Sequence, residues 1–454
     1  MKRLFAPLAA LLLGGCAALQ ARGPDPATHA RARAASFQAR RLDSASLRRY
    51  LAQQASLPAA FPPRSWTLPL LAEVALYYRP DVAQARARVA IAQAARIVAG
   101  TGPAARIAVT PGYAFGSPAG TSPWFPGIAL DLPIETAGKR ALRLAAADRQ
   151  SAAAELDLET TCWHVRKQVR TALATCIWQQ RRGTLLRTEV TLRAALLRLL
   201  RQRLAVGALS EPEALTATLA LDRARQVALA QSGQLVQARL ALAAAVGVPG
   251  RALADINLSW PGFSELPGVP SEPKLQRAGL AHRTDVQGAL LRVLEADDDL
   301  RVAEAGSFPD LQLGPGYKWD QGENKISLAL SVAIPQARGP IAAARARREL
   351  AAATFDRRQD LAIGQIEQAR AAYRSTLDEL HEVSAMLSAS RRHEHEIEQR
   401  FSAGQVDRVD LDDAHLEAVT AQLTQLDVLA SSQRSLGRLQ TAIQSPLSAL
   451  ESPK

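Results

Sequence analysis

The segment KISLALSVAI, residues 325–334, alternates strictly between large apolar and small side chains. In an extended strand, one face then carries isoleucine, leucine and valine, while the other carries serine and alanine after Lys325. A tilted membrane-spanning strand has this length, about ten residues. A half-buried strand of a soluble protein is the alternative, but its apolar face would need a partner layer of large side chains. Only helical sequence is available to form that layer, and it is committed to helix–helix packing.

Three other segments alternate in the same way: Ala105–Phe115, Trp124–Glu135 and Phe308–Trp319. Aromatic side chains lie near their loop ends, as in an interfacial girdle; they are Tyr113, Phe115, Trp124, Phe125, Tyr317 and Trp319. Four strands cannot close a barrel, and open edges in lipid leave backbone groups unpaired at several kcal/mol each. The smallest bacterial barrels have about eight strands, so the chain must oligomerise, and three copies would supply about twelve strands.

Long proline-free stretches connect these strands to the rest of the chain. Gly138 to Leu204 and Pro340 to Phe401, the second with a proline only at its first position, are rich in alanine, leucine, arginine and glutamine, which predicts helices of roughly 100 Å. Such helices exceed those of compact domains and must pack side by side. The predicted fold class is therefore mainly α with a membrane β-barrel contribution: a long, coiled-coil-like α-helical barrel plus four transmembrane β-strands per protomer.

The chain contains an internal duplication. Arg79-Pro80-Asp81-Val82 recurs as Arg283-Thr284-Asp285-Val286, and each copy is followed at the same offset by Pro-Gly-Tyr. Two structural repeats are predicted, at 66–247 and 274–445, each reading helix, two strands, long helix, turn, helix. The first helices are expected over 68–99 and 275–305. A connector rich in proline and glycine, 248–273, separates the repeats, and 446–454 is a tail.

The N-terminal residues predict secretion. Lys2 and Arg3 precede a short apolar run, Leu4 to Leu13, which is too short to span a bilayer. Gly14-Gly15-Cys16 then resembles a bacterial lipobox, so 1–15 is expected to be a lipoprotein signal peptide, with Cys16 lipidated. Residues 16–65 would form a lipid-anchored extension. An ordinary signal peptide with an incidental cysteine is the alternative. No later apolar run is long enough for a transmembrane helix.

The two long helices are expected to end in similar turns. Gly207 and Gly404 can adopt the left-handed conformation that stops a helix. Ser210 and Asp407, each three residues later, can cap the next helix, with Glu213 and Asp410 at the third helical position. Well-built turns account for these residues, but two such turns at matching places also suggest one functional end of a bundle.

The second turn is richer in acidic residues. Asp407, Asp410 and Asp413 are spaced three apart, so they share a helix face, and Asp412 lies beside them. Negative charge in a first helical turn is favourable by about 0.3–1 kcal/mol per group, which gives one explanation. Repeated around a threefold axis, these residues would instead form acidic rings of the kind found in cation-selective pores. Composition alone leaves both explanations open.

The opening WTLPLLAEVAL (66–76) with Arg79-Pro80-Asp81, the stretch LPIETAGKR (132–140) and Gly404 through Ala414 resemble the TolC family of outer-membrane efflux proteins. The resemblance covers about 66–445. It implies a homotrimer with a 12-stranded barrel in outer-membrane lipid and a periplasmic α-barrel. This duct would meet a periplasmic adaptor protein and an inner-membrane transporter of the resistance-nodulation-division (RND) class, with LPIETAGKR most similar to heavy-metal members.

The resemblance also assigns roles to tip residues. The pore constriction would be Asp410 and Asp413, whose first-half counterparts are Glu213 and Thr216, so the acidity is one-sided. Eight residues of the tip turns would contact the adaptor: Val206, Gly207, Leu209, Ser210, Arg400, Gly404, Val406 and Asp407.

Other functions find little support in the sequence. The chain contains no phosphate loop, nucleophile elbow or HExxH helix, so we expect no enzyme, catalytic residue, cofactor or resident metal. The net charge of +12 is carried by arginines scattered among acids, which disfavours nucleic acid as a partner. His393 and His395 point to different faces and cannot share an ion, while His381 and His415 are not placed by any pattern. A periplasmic adaptor or an envelope coiled coil would lack the paired strands.

Overall fold

The computed structural model describes residues 25–54, 56, 58–118 and 120–447. The predicted signal peptide, Cys16 and most of the predicted tail lie outside the described residues. Within these residues the chain forms long helices and one small sheet. The helices are α1 Pro26–Gln38, α2 Ala45–Gln53, α3 Leu68–Tyr78, α4 Pro80–Gly100, α5 Lys139–Ala205, α6 Glu211–Val246, α7 Glu272–His282, α8 Thr284–Ala305, α9 Arg338–Ser402 and α10 Arg408–Ile443. The strands are β1 Arg106–Thr110, β2 Gly127–Ile134, β3 Leu311–Asp320 and β4 Glu323–Val332.

Helices α5 and α9 determine the length of the molecule. They contain 67 and 65 residues, which corresponds to roughly 100 Å each. Helix α5 packs against α4, α6, α8 and α10, and α9 packs against α8 and α10. The two long helices predicted from the absence of proline are confirmed, with ends that differ from the prediction by one or two residues.

The sheet lies at one end of this bundle. Its strands are antiparallel in the order β1-β2-β3-β4. The register aligns the large side chains across the sheet, since Ile128 pairs with Tyr317, which in turn pairs with Ile326. These side chains are open to the surroundings rather than packed under a helix: Ile326 is 87% exposed and Leu328 69% exposed. The prediction of one continuous, uncovered apolar face is confirmed.

Strand β1 is shorter than the sequence predicts. It ends at Thr110, because Pro111 has no N–H to donate and Gly112 contributes no side chain to pack. The ring of Phe125 occupies the space where a Cβ on residue 112 would stand. Beyond this point the pairing is reduced to the Tyr113–Trp124 bridge, in which the Phe125 N–H donates to the Gly112 carbonyl, 2.8 Å, and the Ala114 N–H donates to the Pro123 carbonyl, 2.7 Å.

Each repeat begins with two helices where the sequence predicts one. The chain leaves helical geometry at Arg79 (φ −72°, ψ 126°) and at Arg283 (φ −71°, ψ 110°). At the first break the cause is Pro80, which disfavours helical geometry in the residue before it. Both arginines bind the aspartate two residues later, Asp81 or Asp285.

Each of these arginines also reaches the end of its own repeat. Arg79 Nη1 donates to the Ala244 carbonyl, 3.3 Å, and Arg283 Nη1 donates to the Ala442 carbonyl, 3.2 Å. We call these two contacts the arginine hooks. They join the first and last helices of each half, so the duplicated sequence motif performs the same structural task twice.

The hydrophobic core lies midway along the bundle. In the first half, Leu71, Val169 and Leu242 are fully buried in one cluster, together with Phe263 of the connector. In the second half, the equivalent cluster contains Leu275, Ile366, Tyr373, Leu439 and Ile443. Helix α2 adds Leu47 and Leu51 to the first cluster, so the predicted extension packs on the first half. Cys162 and Cys176 are free thiols.

Candidate functional site: the paired tip turns

The two helical turns lie together at the end of the bundle opposite the sheet. In the first turn, Gly207 adopts φ +75°, and the Ala208 N–H donates to the Arg203 carbonyl, 2.8 Å. In the second, Gly404 adopts φ +72°, and the Gln405 N–H donates to the Arg400 carbonyl, 2.9 Å. Both glycines therefore end their helices by the left-handed route predicted for them.

The helix that follows each turn is capped by a different side chain. The Ser210 N–H donates to the Glu213 carboxylate, 2.9 Å, and the Ser210 hydroxyl donates to the same oxygen, 2.6 Å. In the second turn, Asp407 accepts from the N–H groups of Val409 and Asp410, at 2.6 and 3.2 Å. The Asp407 N–H donates in return to the Asp410 carboxylate, 3.1 Å.

A salt bridge connects the two turns. Arg203, in the last turn of α5, lies 2.8 Å from the Asp407 carboxylate. The hydrogen bond from Arg203 is the main reason that the pKa of Asp407 lies below its ordinary value, and the backbone donors of the cap lower it further. Asp407 therefore holds the first hairpin and caps the second helix at the same time. Sequence patterns could not predict this contact, because it joins residues 204 positions apart.

The acidic cluster is smaller than the sequence suggests. Asp412 is 1% exposed and accepts from Arg408 Nε, 2.9 Å, so it is set apart from the exposed acids beside it. Arg408 also lies over the ring of Phe401, which orients it toward Asp412. Asp410 and Asp413 remain exposed, and Glu417 continues their stripe along α10. Glu417 lies four residues after Asp413, which lies three residues after Asp410. This helical spacing could have identified Glu417 from the sequence.

Asp413 is in a less favourable electrostatic position than its neighbours. Partial burial is the main cause of its raised pKa, and the negative charges of Asp410 and Asp412 raise it further. Its protonation is therefore expected at a higher pH than for an ordinary aspartate. Asp413 therefore lies where neighbouring carboxylates repel its negative charge.

The predicted adaptor-contact residues differ in exposure. Val206, Gly207, Ser210, Arg400 and Gly404 are exposed. The two other apolar residues are partly buried. Leu209 lies just before the start of α6, and Val406 packs on the small cluster formed by Ile397, Leu411 and Ala414. The surface presented at the tip is therefore made of backbone, small side chains, one large apolar group, Val206, and the charged side chains of Arg400 and Asp407.

Sequence reasoning missed one grouping near this site. His415 of α10 lies beside Glu394 and Glu398 of α9. Glu394 and His415 are about equally distant from Gly404 on the two sides of the turn, and Glu398 lies one helical turn nearer to it on α9. An antiparallel hairpin brings such residues together. The separation of each from the turn was the signal that could have placed His415.

A long bundle of antiparallel helices, with an apolar-faced sheet at one end and paired turns at the other, defines the class of elongated membrane channel proteins. The chain matches the family model described as outer membrane efflux protein over residues 71–248 and 275–444. The chain belongs to this family.

Known relatives and structures agree with this membership. The chain is 26% identical over 211 residues to the cobalt-zinc-cadmium resistance protein CzcC of Cupriavidus metallidurans, a match covering 45% of this chain. The same match covers 48% of CzcC, so the chain spans about half the length of the curated relative it matches.

Solved channels share the fold at low sequence identity. The outer membrane protein VceC from Vibrio cholerae has a TM-score of 0.67 at 19% identity, covering 83% of this chain and 96% of VceC. The open state of the MtrE channel of Neisseria gonorrhoeae has a TM-score of 0.67 at 17% identity, covering 85% and 90%. Among the described residues, no helix combines the length and apolarity that crossing a bilayer requires.

Proposed function

We propose that the chain forms the outer-membrane duct of a tripartite efflux pump, a passive path from the periplasm to the exterior. The observation that carries the proposal is the sheet β1–β4, whose large apolar side chains are uncovered on one face. A soluble protein seldom leaves so large an apolar surface exposed. Lipid is the environment in which such a face is stable.

The edges of the sheet support a trimer. Among the described residues, β1 and β4 each pair on one side only. Unpaired backbone groups in lipid cost several kcal/mol each, so a single chain cannot be stable there. Three copies joined edge to edge would close about twelve strands into a barrel, within the range of known bacterial barrels.

The helical bundle would then extend into the periplasm. Its tip turns are the proposed contact with a periplasmic adaptor, through Val206, Gly207, Leu209, Ser210, Arg400, Gly404, Val406 and Asp407. An inner-membrane transporter of the RND class would supply the energy. No chemical step is required of the duct, so we propose that it is not an enzyme and uses no cofactor.

The narrowest point of the duct is proposed at Asp410 and Asp413. Both are exposed, and threefold repetition would place six carboxylates around the axis, which favours cations. We expect Asp410→Ala with Asp413→Ala to weaken the block of single-channel conductance by multivalent cations in bilayers. Unchanged block would place the constriction elsewhere and leave the duct itself standing.

Two further assignments rest on sequence and similarity. Cys16, outside the described residues, is the proposed lipidation site, and Cys16→Ser should abolish lipid labelling without changing the fold. CzcC is named for cobalt, zinc and cadmium resistance. By analogy, heavy-metal cations are the proposed cargo, with small toxic compounds as the alternative.

The decisive experiment changes one face of the sheet at a time. Leu328→Arg places a charge on the apolar face, at a cost of about 2–4 kcal/mol if that position lies in mid-bilayer. Ser327→Arg, the matched control, places the same charge on the small-residue face. We expect only Leu328→Arg to deplete the heat-sensitive trimer in outer membranes and its channels in bilayers. Equal assembly of both variants, or a soluble monomer after Cys16→Ser, would overturn the proposal.

A further inference from the structure

A cluster of possible metal ligands lies between α9 and α10, and the proposed function does not use it. His415 Nε2 is 3.3 Å from one Glu398 oxygen and 3.8 Å from a Glu394 oxygen. The three ligand atoms all lie within 4.8 Å of one another. Two of these residues are one helical turn apart on α9, and the third faces them from α10, so the hairpin itself brings the group together.

The distances suit a transition metal. An ion about 2.0–2.1 Å from an imidazole nitrogen and from carboxylate oxygens holds its ligand atoms roughly 3.3 Å apart in tetrahedral geometry. The separations of 3.3 and 3.8 Å therefore need only small side-chain rotations to close around an ion. Imidazole nitrogen and carboxylate oxygen are both ligands of Zn²⁺, and imidazole also suits other late divalent ions such as Ni²⁺.

The charge balance also favours a cation. Within the described residues, neither Glu394 nor Glu398 lies within 4.0 Å of a lysine or arginine nitrogen, and the ion pairs they make are with histidines. A divalent ion would neutralise both carboxylates. His395 Nδ1 lies 3.6 Å from the second oxygen of Glu398 and can orient that carboxylate from outside the group.

The cluster is distinct from the proposed pore constriction. His415 is two residues beyond Asp413, a rotation of about 200° around α10, so the two side chains leave opposite sides of the helix. On the side toward the turn, Ile397, Leu411 and Ala414 fill the space between the helices. The cluster is therefore partly shielded, while Glu398, 47% exposed, leaves room for water.

We propose that Glu394, Glu398 and His415 bind one divalent transition-metal cation per chain, of the Zn²⁺, Co²⁺ or Ni²⁺ class. The ion joins α9 to α10 about 15 Å from the turn and fastens the second tip hairpin. The site has three protein ligands and completes its coordination with water. This binding is independent of the duct function and of the cargo.

The test titrates Co²⁺ into the metal-stripped full-length protein in detergent. We expect one Co²⁺ per chain with visible absorption of imidazole–carboxylate ligation, displaced by Zn²⁺. His415→Gln, which keeps a polar side chain, and Glu394→Gln with Glu398→Gln should each weaken binding by about tenfold or more. The matched control is His393→Ala, because His393 is an exposed histidine on α9, the helix that carries Glu394 and Glu398. This variant should bind Co²⁺ as the unchanged protein does.

A second measurement reports on the join between the helices. Zn²⁺ at saturating concentration should raise the unfolding temperature of the unchanged protein and of His393→Ala, but not of His415→Gln. Absence of saturable binding, equal affinity in His415→Gln, or loss of binding in His393→Ala would each overturn the proposal. None of these results bears on conductance or trimer formation, so the two proposals fail separately.

Discussion

The two tip turns have the same backbone and different charges. Gly207 and Gly404 both stop their helices in the left-handed conformation, and the next helix begins after the same number of residues. The first turn is capped by Ser210, whereas the second is capped by Asp407, which also binds Arg203 of the first hairpin. The duplication has therefore kept the glycines that the backbone of each turn requires. The side chains that cap, charge and connect the two turns differ between the halves.

The two arginine hooks, which lie midway along the molecule, likewise make the same backbone contact but differ in how deeply their side chains are buried. Arg283 is 8% exposed and makes two hydrogen bonds to Asp285 as well as one to Gln365. Arg79 is less buried, and its partner Asp81 is 48% exposed. Burial alone would raise the pKa of Asp285, but the hydrogen bonds and charge of Arg283 outweigh it and keep the pKa below its ordinary value.

Removing the arginine of each hook should destabilise the protein by unequal amounts. Arg283→Ala leaves a half-buried carboxylate without its cation, which we expect to cost about 3 kcal/mol of unfolding free energy. Arg79→Ala removes a more exposed pair and should cost about 1 kcal/mol or less. Guanidinium unfolding followed by circular dichroism measures both. Equal losses would show that the two halves are equally dependent on their hooks.

A smaller difference is expected between the caps. Asp407→Ala should cost about 1–2 kcal/mol, and Ser210→Ala about 0.5–1 kcal/mol, because only Asp407 also serves the other hairpin. The folded-state pKa of Asp407 is lowered, so its contribution is present above its unfolded pKa of about 3.9. The contribution is lost as the pH falls through the lower folded value. Unfolding curves at pH 7 and pH 3 should therefore differ less for Asp407→Ala than for the unchanged protein.

The smallest expected effect concerns the crowded acid. The folded-state pKa of Asp413 is raised, so stability falls as the pH rises through that value. Asp413→Asn should then stabilise the protein at pH 7 by about 0.2–0.5 kcal/mol and leave it unchanged at low pH. Thr216→Asn in the first half is the control, with no expected change. A destabilised Asp413→Asn at pH 7 would mean that the carboxylate has a favourable partner.

Sequence alone predicted the elements whose rules are local. The ends of α5 and α9 follow from glycine and the absence of proline, and the sheet faces follow from strict alternation. The break before Pro80 was also within reach of a local rule, because the residue before a proline avoids helical geometry. The matching break at Thr284 has no proline, and depends on the hook that Arg283 forms with distant partners.

The site was predicted less completely because its contacts join separate helices. Asp410 and Asp413 stand out from spacing, but the buried Asp412 is paired with Arg408, which lies over the ring of Phe401. Arg203 meets Asp407 only because two hairpins end at the same level. His415 joins Glu394 and Glu398 through hairpin register, which no one-helix periodicity contains.

The unpaired outer edges of β1 and β4 have a genetic consequence. If every copy must pair its β1 and β4 edges with two neighbours, a single defective copy disrupts the whole ring. In cells making equal amounts of normal and Leu328→Arg chains that still associate into the proposed trimer, only about one ring in eight would contain no altered copy. Such an allele would be dominant over the normal one, whereas an allele that merely prevents synthesis would be recessive.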